Sequence, residues 1–179
     1  MQNLEITNIR QNNLRTRIED GFVQKVMKPY RTNAAYLQSA EFVQQPGQGL
    51  SGLTMEGVFN IPESCYIDDT GHFNAVEYNI CYNQLGYVFL GHCIKNGLIP
   101  DLTAYDEDTF FEKQLSNILI VKIASNYKKP INPKKFYGTY GVKSTTYKSK
   151  CIFLNTYCNF YDDNEGKSQG EVMLAILHP

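Results

Sequence analysis

Apolar positions recur with two periods along this chain, and the switches between them mark out its elements. Across 13–28, Leu14, Ile18, Phe22, Lys25 and Val26 fall near helical spacing, with Gly21 inside and Pro29 as a stop, and predict a helix. Alternation takes over in 34–45 and 50–61. Tyr36 and Phe42 sit at even positions, and Met55, Gly57 and Phe59 oppose Glu56 and Val58. Pro46-Gly47-Gln48-Gly49 joins these runs as a turn, predicting a hairpin that Pro62 closes.

The helical period returns after a polar stretch. Asn74 is a strong N-cap, Glu77 stands in the capping-box position, and Phe73 and Tyr78 occupy the two places of a hydrophobic staple. Val76, Ile80, Asn83, Tyr87, Leu90 and Ile94 share one face, and Cys81, Leu85 and Val88 form a second apolar strip, so this helix is expected to be buried on most sides. Gly97 and Pro100 end it near Lys95.

Residues 101–112 read as an acidic loop with at most a short helical turn. Ile118-Leu119-Ile120-Val121, within 116–127, reads as a strand covered on both faces. Residues 128–135 form a rigid basic connection, and 136–148, 150–162 and 168–178 are three more strands. The last two are joined by the hairpin tip Asp162-Asp163-Asn164-Glu165-Gly166. Helix, two strands, long helix and four strands, with no repeat or linker, predict a single α+β domain over 1–179. A buried helix interrupting a mostly antiparallel sheet is the pattern of a hot-dog fold.

Composition removes whole classes of function. A net charge of −1 gives no electrostatic case for nucleic acid or an anionic membrane. The longest clean apolar run, 172–177, is far short of the roughly 18 residues that span a bilayer. Five cysteines without a CxxC spacing argue against a zinc ribbon or a redox dithiol, and predict buried free thiols and no metal site. The polar residues 1–20 lack the basic-then-apolar pattern of a leader, so a cytoplasmic location is expected. Most of the 13 tyrosines suit half-buried sheet positions.

Specific chemistry enters with a resemblance. Gly71-His72-Phe73-Asn74-Ala75-Val76-Glu77, then Asn83-Gln84-Leu85, then Lys129-Pro130-Ile131-Asn132-Pro133-Lys134-Lys135-Phe136 resemble the FcoT family of hot-dog acyl thioesterases. Glu63-Ser64-Cys65-Tyr66-Ile67 and Lys28-Pro29-Tyr30 extend the similarity over about 20–178. The resemblance implies action on long-chain fatty acyl thioesters of coenzyme A or an acyl carrier protein. Hydrolysis is one implied reaction. The other is addition of glycine to the β-carbon of a (2E)-enoyl carrier-protein thioester followed by release, as in isonitrile lipopeptide biosynthesis. No separate cofactor is implied, since coenzyme A or phosphopantetheine arrives as part of the substrate. The family's functional residues fall on Tyr30, Tyr66 and Asn74, with Tyr36 as a nearby competitor of Tyr30.

Each candidate has a structural explanation beside its chemical one. Asn74 as an N-cap is complete in itself; as a catalytic residue it would orient a water or glycine amine, while N–H groups of 71–75 take the oxyanion. Tyr66 would donate to the carbonyl or hold water. His72 is the natural general base by its ordinary pKa, and Glu77 is either a base or the back-cap of the helix. Gly71, Phe73, Asn83 and Tyr87 are further substrate-contact candidates, with an acyl tail expected along Val76, Ile80 and Tyr87. Lys129, Lys134 and Lys135, with Lys128, are a solvated run or a grip for coenzyme A phosphates or an acidic carrier face. Gly71-His72-Phe73 is also similar to hot-dog enoyl thioester dehydratases, but Asn74-Ala75 replaces their Pro-Gly. A non-catalytic subunit that binds an acyl carrier is the remaining alternative. A hot-dog helix completed by a second subunit predicts at least a homodimer.

Overall fold

The computed structural model describes residues 13–179; the polar stretch before residue 13 lies outside the described residues. Strand β1 (Leu14–Arg17) is followed by α1 (Asp20–Met27), the hairpin β2 (Leu37–Gln44) and β3 (Leu53–Phe59), the long helix α2 (Ala75–Lys95), and α3 (Glu107–Asn117). Four strands then complete the chain: β4 (Ile118–Lys129), β5 (Phe136–Tyr147), β6 (Cys151–Tyr161) and β7 (Lys167–Leu177). All seven strands form one antiparallel sheet in the order β1-β2-β3-β5-β6-β7-β4. With α2 lying on one face of it, this is the hot-dog arrangement that the alternation of periods predicts.

The helix is seated by its flank. Leu85, Val88 and Phe89 are completely buried, and each such side chain contributes about 2 kcal/mol over an exposed one. Aromatic rings carry the contact: Tyr82 and Phe89 lie 5.5 and 5.1 Å from Tyr140 of β5, and Tyr78 meets Phe160 of β6 edge-on at 5.1 Å. Tyr78 Oη donates to Cys158 O at 2.7 Å. That approach requires Gly170 in β7, where a Cβ would stand 2.0 Å from the Tyr78 hydroxyl. The amide of Gln84 locks the middle of the helix: its oxygen accepts from Tyr36 N and Leu37 N at 3.0 and 2.9 Å, and its nitrogen donates to Ala34 O at 2.6 Å.

Three expectations from sequence are corrected. Residues 14–17 form a strand rather than the start of a helix, because β2 offers them a ladder from Leu14–Gln44 to Arg17–Glu41. The helix begins only at Asp20, after Ile18 N donates to Ala40 O at 2.9 Å. The acidic stretch after residue 101 contains helix α3, capped by Asp106, whose carboxylate accepts from Thr109 N at 2.8 Å, and anchored by fully buried Phe110. Strand β4 is no two-faced core strand. It is the sheet edge, and Leu119, Ile120, Val121 and Ile123 are 36 to 55% exposed. All five cysteines are free thiols, three of them buried. No described helix is long and apolar enough to cross a membrane.

Candidate active site

The first turn of α2 is built as the sequence predicts. Asn74 Oδ1 accepts from Val76 N at 3.0 Å and Glu77 N at 3.2 Å, and Glu77 Oε2 accepts from Asn74 N at 3.2 Å, closing the capping box. Phe73 and Tyr78 stand 6.2 Å apart as the staple. Two backbone donors on Oδ1 fix which end of the amide is oxygen. A third donor joins them: Tyr66 Oη lies 2.8 Å from Asn74 Oδ1. The hydroxyl hydrogen of Tyr66 is therefore committed to Asn74, which leaves its oxygen lone pairs as acceptors on a residue that is 48% exposed.

The opposite end of the same amide has no partner. Asn74 Nδ2 is buried and makes no hydrogen bond. Six other buried side-chain polar atoms among the described residues, from Asn60 Oδ1 to Ser168 Oγ, are unpartnered as well. The expected backbone oxyanion donors are largely occupied instead. Gly71 N donates to Asp69 Oδ1 at 2.8 Å, Phe73 N to Ile131 O at 3.0 Å, and the amides of Asn74, Val76 and Glu77 serve the capping box. In this pair Tyr66 Oη is the donor and Asn74 Oδ1 the acceptor, while the Asn74 Nδ2 hydrogens stay unpartnered among the described residues.

The other predicted residues divide into those near this pair and those tied elsewhere. His72 is exposed, two residues before the cap, with Nδ1 2.9 Å from Thr70 O. A carbonyl can only accept, so Nδ1 carries the hydrogen and Nε2 is left as the free lone pair. Glu77 is almost completely buried beneath the cap. Gly71 adopts φ +74°, a conformation glycine takes without strain. Phe73 is 2% exposed and packs on Phe136 and Phe160 at 4.8 and 5.1 Å, so its ring belongs to the core.

Tyr30 is half-buried against the core, and burial raises its phenol pKa far above the ordinary value, with Tyr87 and Cys81 adding to the shift. It packs against the core cluster that includes Tyr87, whose own pKa burial also raises. Asn83 is half-buried on that helix. Lys129, Lys134 and Lys135 are each ion-paired, with Glu165, with Asp69 at 3.1 Å, and with Asp163 at 3.4 Å. Among the described residues no group of three or more His, Cys, Asp or Glu side chains is placed to hold a metal ion.

Two features of the site escaped the sequence reading. Tyr36 Oη accepts from Cys65 N at 3.0 Å, so the competitor of Tyr30 fixes the backbone beside Tyr66. Asp69, outside the set of candidates, binds both Gly71 N and Lys134. Its place two residues before a glycine was a signal for the first contact; nothing local signalled the second.

Comparison with known proteins gives the chain its relatives. The FcoT-like thioesterase domain matches residues 25–176. A (2E)-enoyl-[ACP] glycyltransferase of Streptomyces coeruleorubidus is 34% identical over 165 residues, covering 89% of this chain and 98% of its own. The enzyme of the same name in Mycobacterium marinum is 32% identical over 167 residues, covering 91% and 89%. A solved thioesterase from Haemophilus influenzae aligns over 78% of each chain with a TM-score of 0.44 and 8% identity, too distant to bear on chemistry. The chain belongs to the FcoT-like thioesterase family.

Proposed function

We propose that the protein acts on fatty acyl thioesters, adding glycine to the β-carbon of a (2E)-enoyl group carried by an acyl carrier protein and then releasing the free acid. The observation that carries this reading is the pairing of Tyr66 with Asn74, which leaves one acceptor and one unpartnered amide donor side by side. The names of the relatives support it.

In the addition, the glycine nitrogen bonds to Cβ, the π pair moves toward the thioester carbonyl, and Cα takes up a proton, so that N–H is added across the double bond. Asn74 Nδ2 donates to the thioester oxygen as negative charge develops there. One such donor is typically worth about 3 kcal/mol of barrier. Tyr66 Oη accepts an N–H of the amine and aims its lone pair. His72 Nε2 takes the proton that a glycine ammonium must lose first. For release, water attacks the carbonyl carbon, the same oxygen is held by Asn74, and the carrier thiolate leaves.

Plain hydrolysis is the second reading, favoured by the thioesterase family match. The assay is consumption of saturated and 2-enoyl thioesters, with and without glycine. Glycine-dependent loss of the enoyl substrate, with a product heavier by one glycine, supports addition. Thiol release from saturated substrate alone supports hydrolysis, and inertness to both contradicts an enzyme.

A second copy of the chain is the partner this reading calls for. Among the described residues β4 is a twelve-residue edge strand with one side unpaired and with exposed apolar side chains, an arrangement that proteins avoid unless another strand or element covers it. Val76, 46% exposed on the first turn of α2, lies open as well. Light scattering of the full chain, with a dimer or larger assembly expected, tests this. Free thiols and a carrier-bound substrate support a reducing compartment, and the cytoplasm is the location this reading proposes.

A further inference from the structure

The connection between β4 and β5 holds the loop that carries Tyr66. Its carbonyls Ile131 O and Pro133 O accept from Phe73 N at 3.0 Å and Ile61 N at 2.8 Å, so both ends of the loop hang from it. Lys134 reaches across the middle: Nζ donates to Pro62 O at 2.7 Å and to Asp69 Oδ2 at 3.1 Å. Asp69 passes the constraint on through Oδ1 to Gly71 N, and these contacts hold its carboxyl below the usual carboxylate range. The connection is itself anchored from the far side. Nearly buried Asp162 accepts from Asn132 N at 2.7 Å and from Asn164 N and Gly166 N at 2.8 Å.

We propose that Lys134 is a positioning residue: by pinning Pro62 and Asp69 on either side of Tyr66, it sets the Tyr66 hydroxyl against Asn74. This rests on the reading that Tyr66 and Asn74 work on an acyl thioester. A phosphate-gripping role fits less well, because two of the three Nζ hydrogens are already engaged, one with a backbone carbonyl. Both partners of the ion pair are about half exposed, so the pair adds little to folding. Its effect belongs to geometry, and a displacement of about 1 Å in a reacting group can cost on the order of a hundredfold in rate.

The test uses the full chain with Lys134→Met, Asp69→Asn, their double, and the reversed pair Lys134→Glu with Asp69→Lys. Lys143→Met, which removes the Lys143–Glu171 pair on the outer face of the sheet, is the control. Each is assayed with glycine on a (2E)-enoyl-CoA and a (2E)-enoyl-pantetheine, which lacks every phosphate. The expected result is a kcat lowered about tenfold for both substrates with KM held within about twofold. The double variant should be no worse than Lys134→Met, and the reversed pair should recover part of the rate. Amide hydrogen exchange of residues 62–72 should quicken in Lys134→Met and stay unchanged in Lys143→Met. A KM that rises for the enoyl-CoA but not for the enoyl-pantetheine overturns the proposal in favour of a phosphate ligand. Unchanged exchange in 62–72 overturns it whatever the activity, whereas a wild-type chain inert to (2E)-enoyl thioesters with glycine, the carrier-protein form included, overturns the functional reading and not the pin.

Discussion

Two side-chain amides on one helix face opposite fates. Gln84, in the middle of α2, is completely buried, and both ends of its amide are bound to backbone groups of the segment before and within β2. Asn74, ten residues earlier, has its oxygen bound by three donors and its nitrogen by none. A satisfied buried amide is glue. One left half satisfied, beside the Tyr66 hydroxyl, is the donor that the proposed reaction would use.

Three variants sharpen that contrast. The largest effect is expected at the satisfied amide: Gln84→Leu strands Tyr36 N, Leu37 N and Ala34 O without partners and should cost about 3 to 5 kcal/mol of stability, read by denaturant unfolding. If its stability changed by less than about 1 kcal/mol, the distinction between the two amides would collapse. Tyr66→Phe comes next. The ring is half exposed, so stability should move by less than about 0.5 kcal/mol, while the loss of one acceptor lowers kcat about tenfold.

The smallest effect is electrostatic. Burial works against the charge of Asp162, but the N–H groups of Asn132, Asn164 and Gly166 outweigh it and hold its pKa below the usual value. A carboxylate with a lowered folded-state pKa stabilises above the unfolded value near 4, and that contribution fades as pH falls through the folded value. Thermal midpoints recorded from about pH 5 down to pH 3 should therefore fall less steeply in Asp162→Asn than in the wild type. An identical slope would remove this anchor from the account.

What the sequence carries openly is whatever local chemistry decides. The start of α2 was legible because cap, box and staple are all contained in 73–78, and each is found in place. The hairpin of β2 and β3 was legible for the same reason. Strand β1 was not, since Leu14, Ile18 and Phe22 fit a helix by spacing and only a partner strand some thirty residues away makes 14–17 extended. The apolar run of β4 was rightly read as strand and wrongly as covered, because hydrophobicity states that a surface is to be buried without saying which molecule buries it. The acidic approach to α3 was read as loop, although Asp106 followed by Glu107 and Asp108 is also what a helix N-terminus favours.

The site divides in the same way. Tyr66 and Asn74 came from the resemblance, and the structure places them 2.8 Å apart. Which end of the Asn74 amide is left free was beyond the sequence, because it depends on where the loop before α2 is held. The contact that holds it, Lys134 to Asp69, joins residues 65 positions apart.

The most direct measurement is the rate of Asn74→Ser on a (2E)-enoyl carrier-protein thioester with glycine, taken beside its thermal midpoint. Serine caps a helix about as well as asparagine, so the variant keeps the first turn of α2 and loses only the amide donor. The account predicts an unchanged midpoint and a kcat lowered about a hundredfold or more. A variant that folds as the wild type does and turns over at the wild-type rate would contradict it.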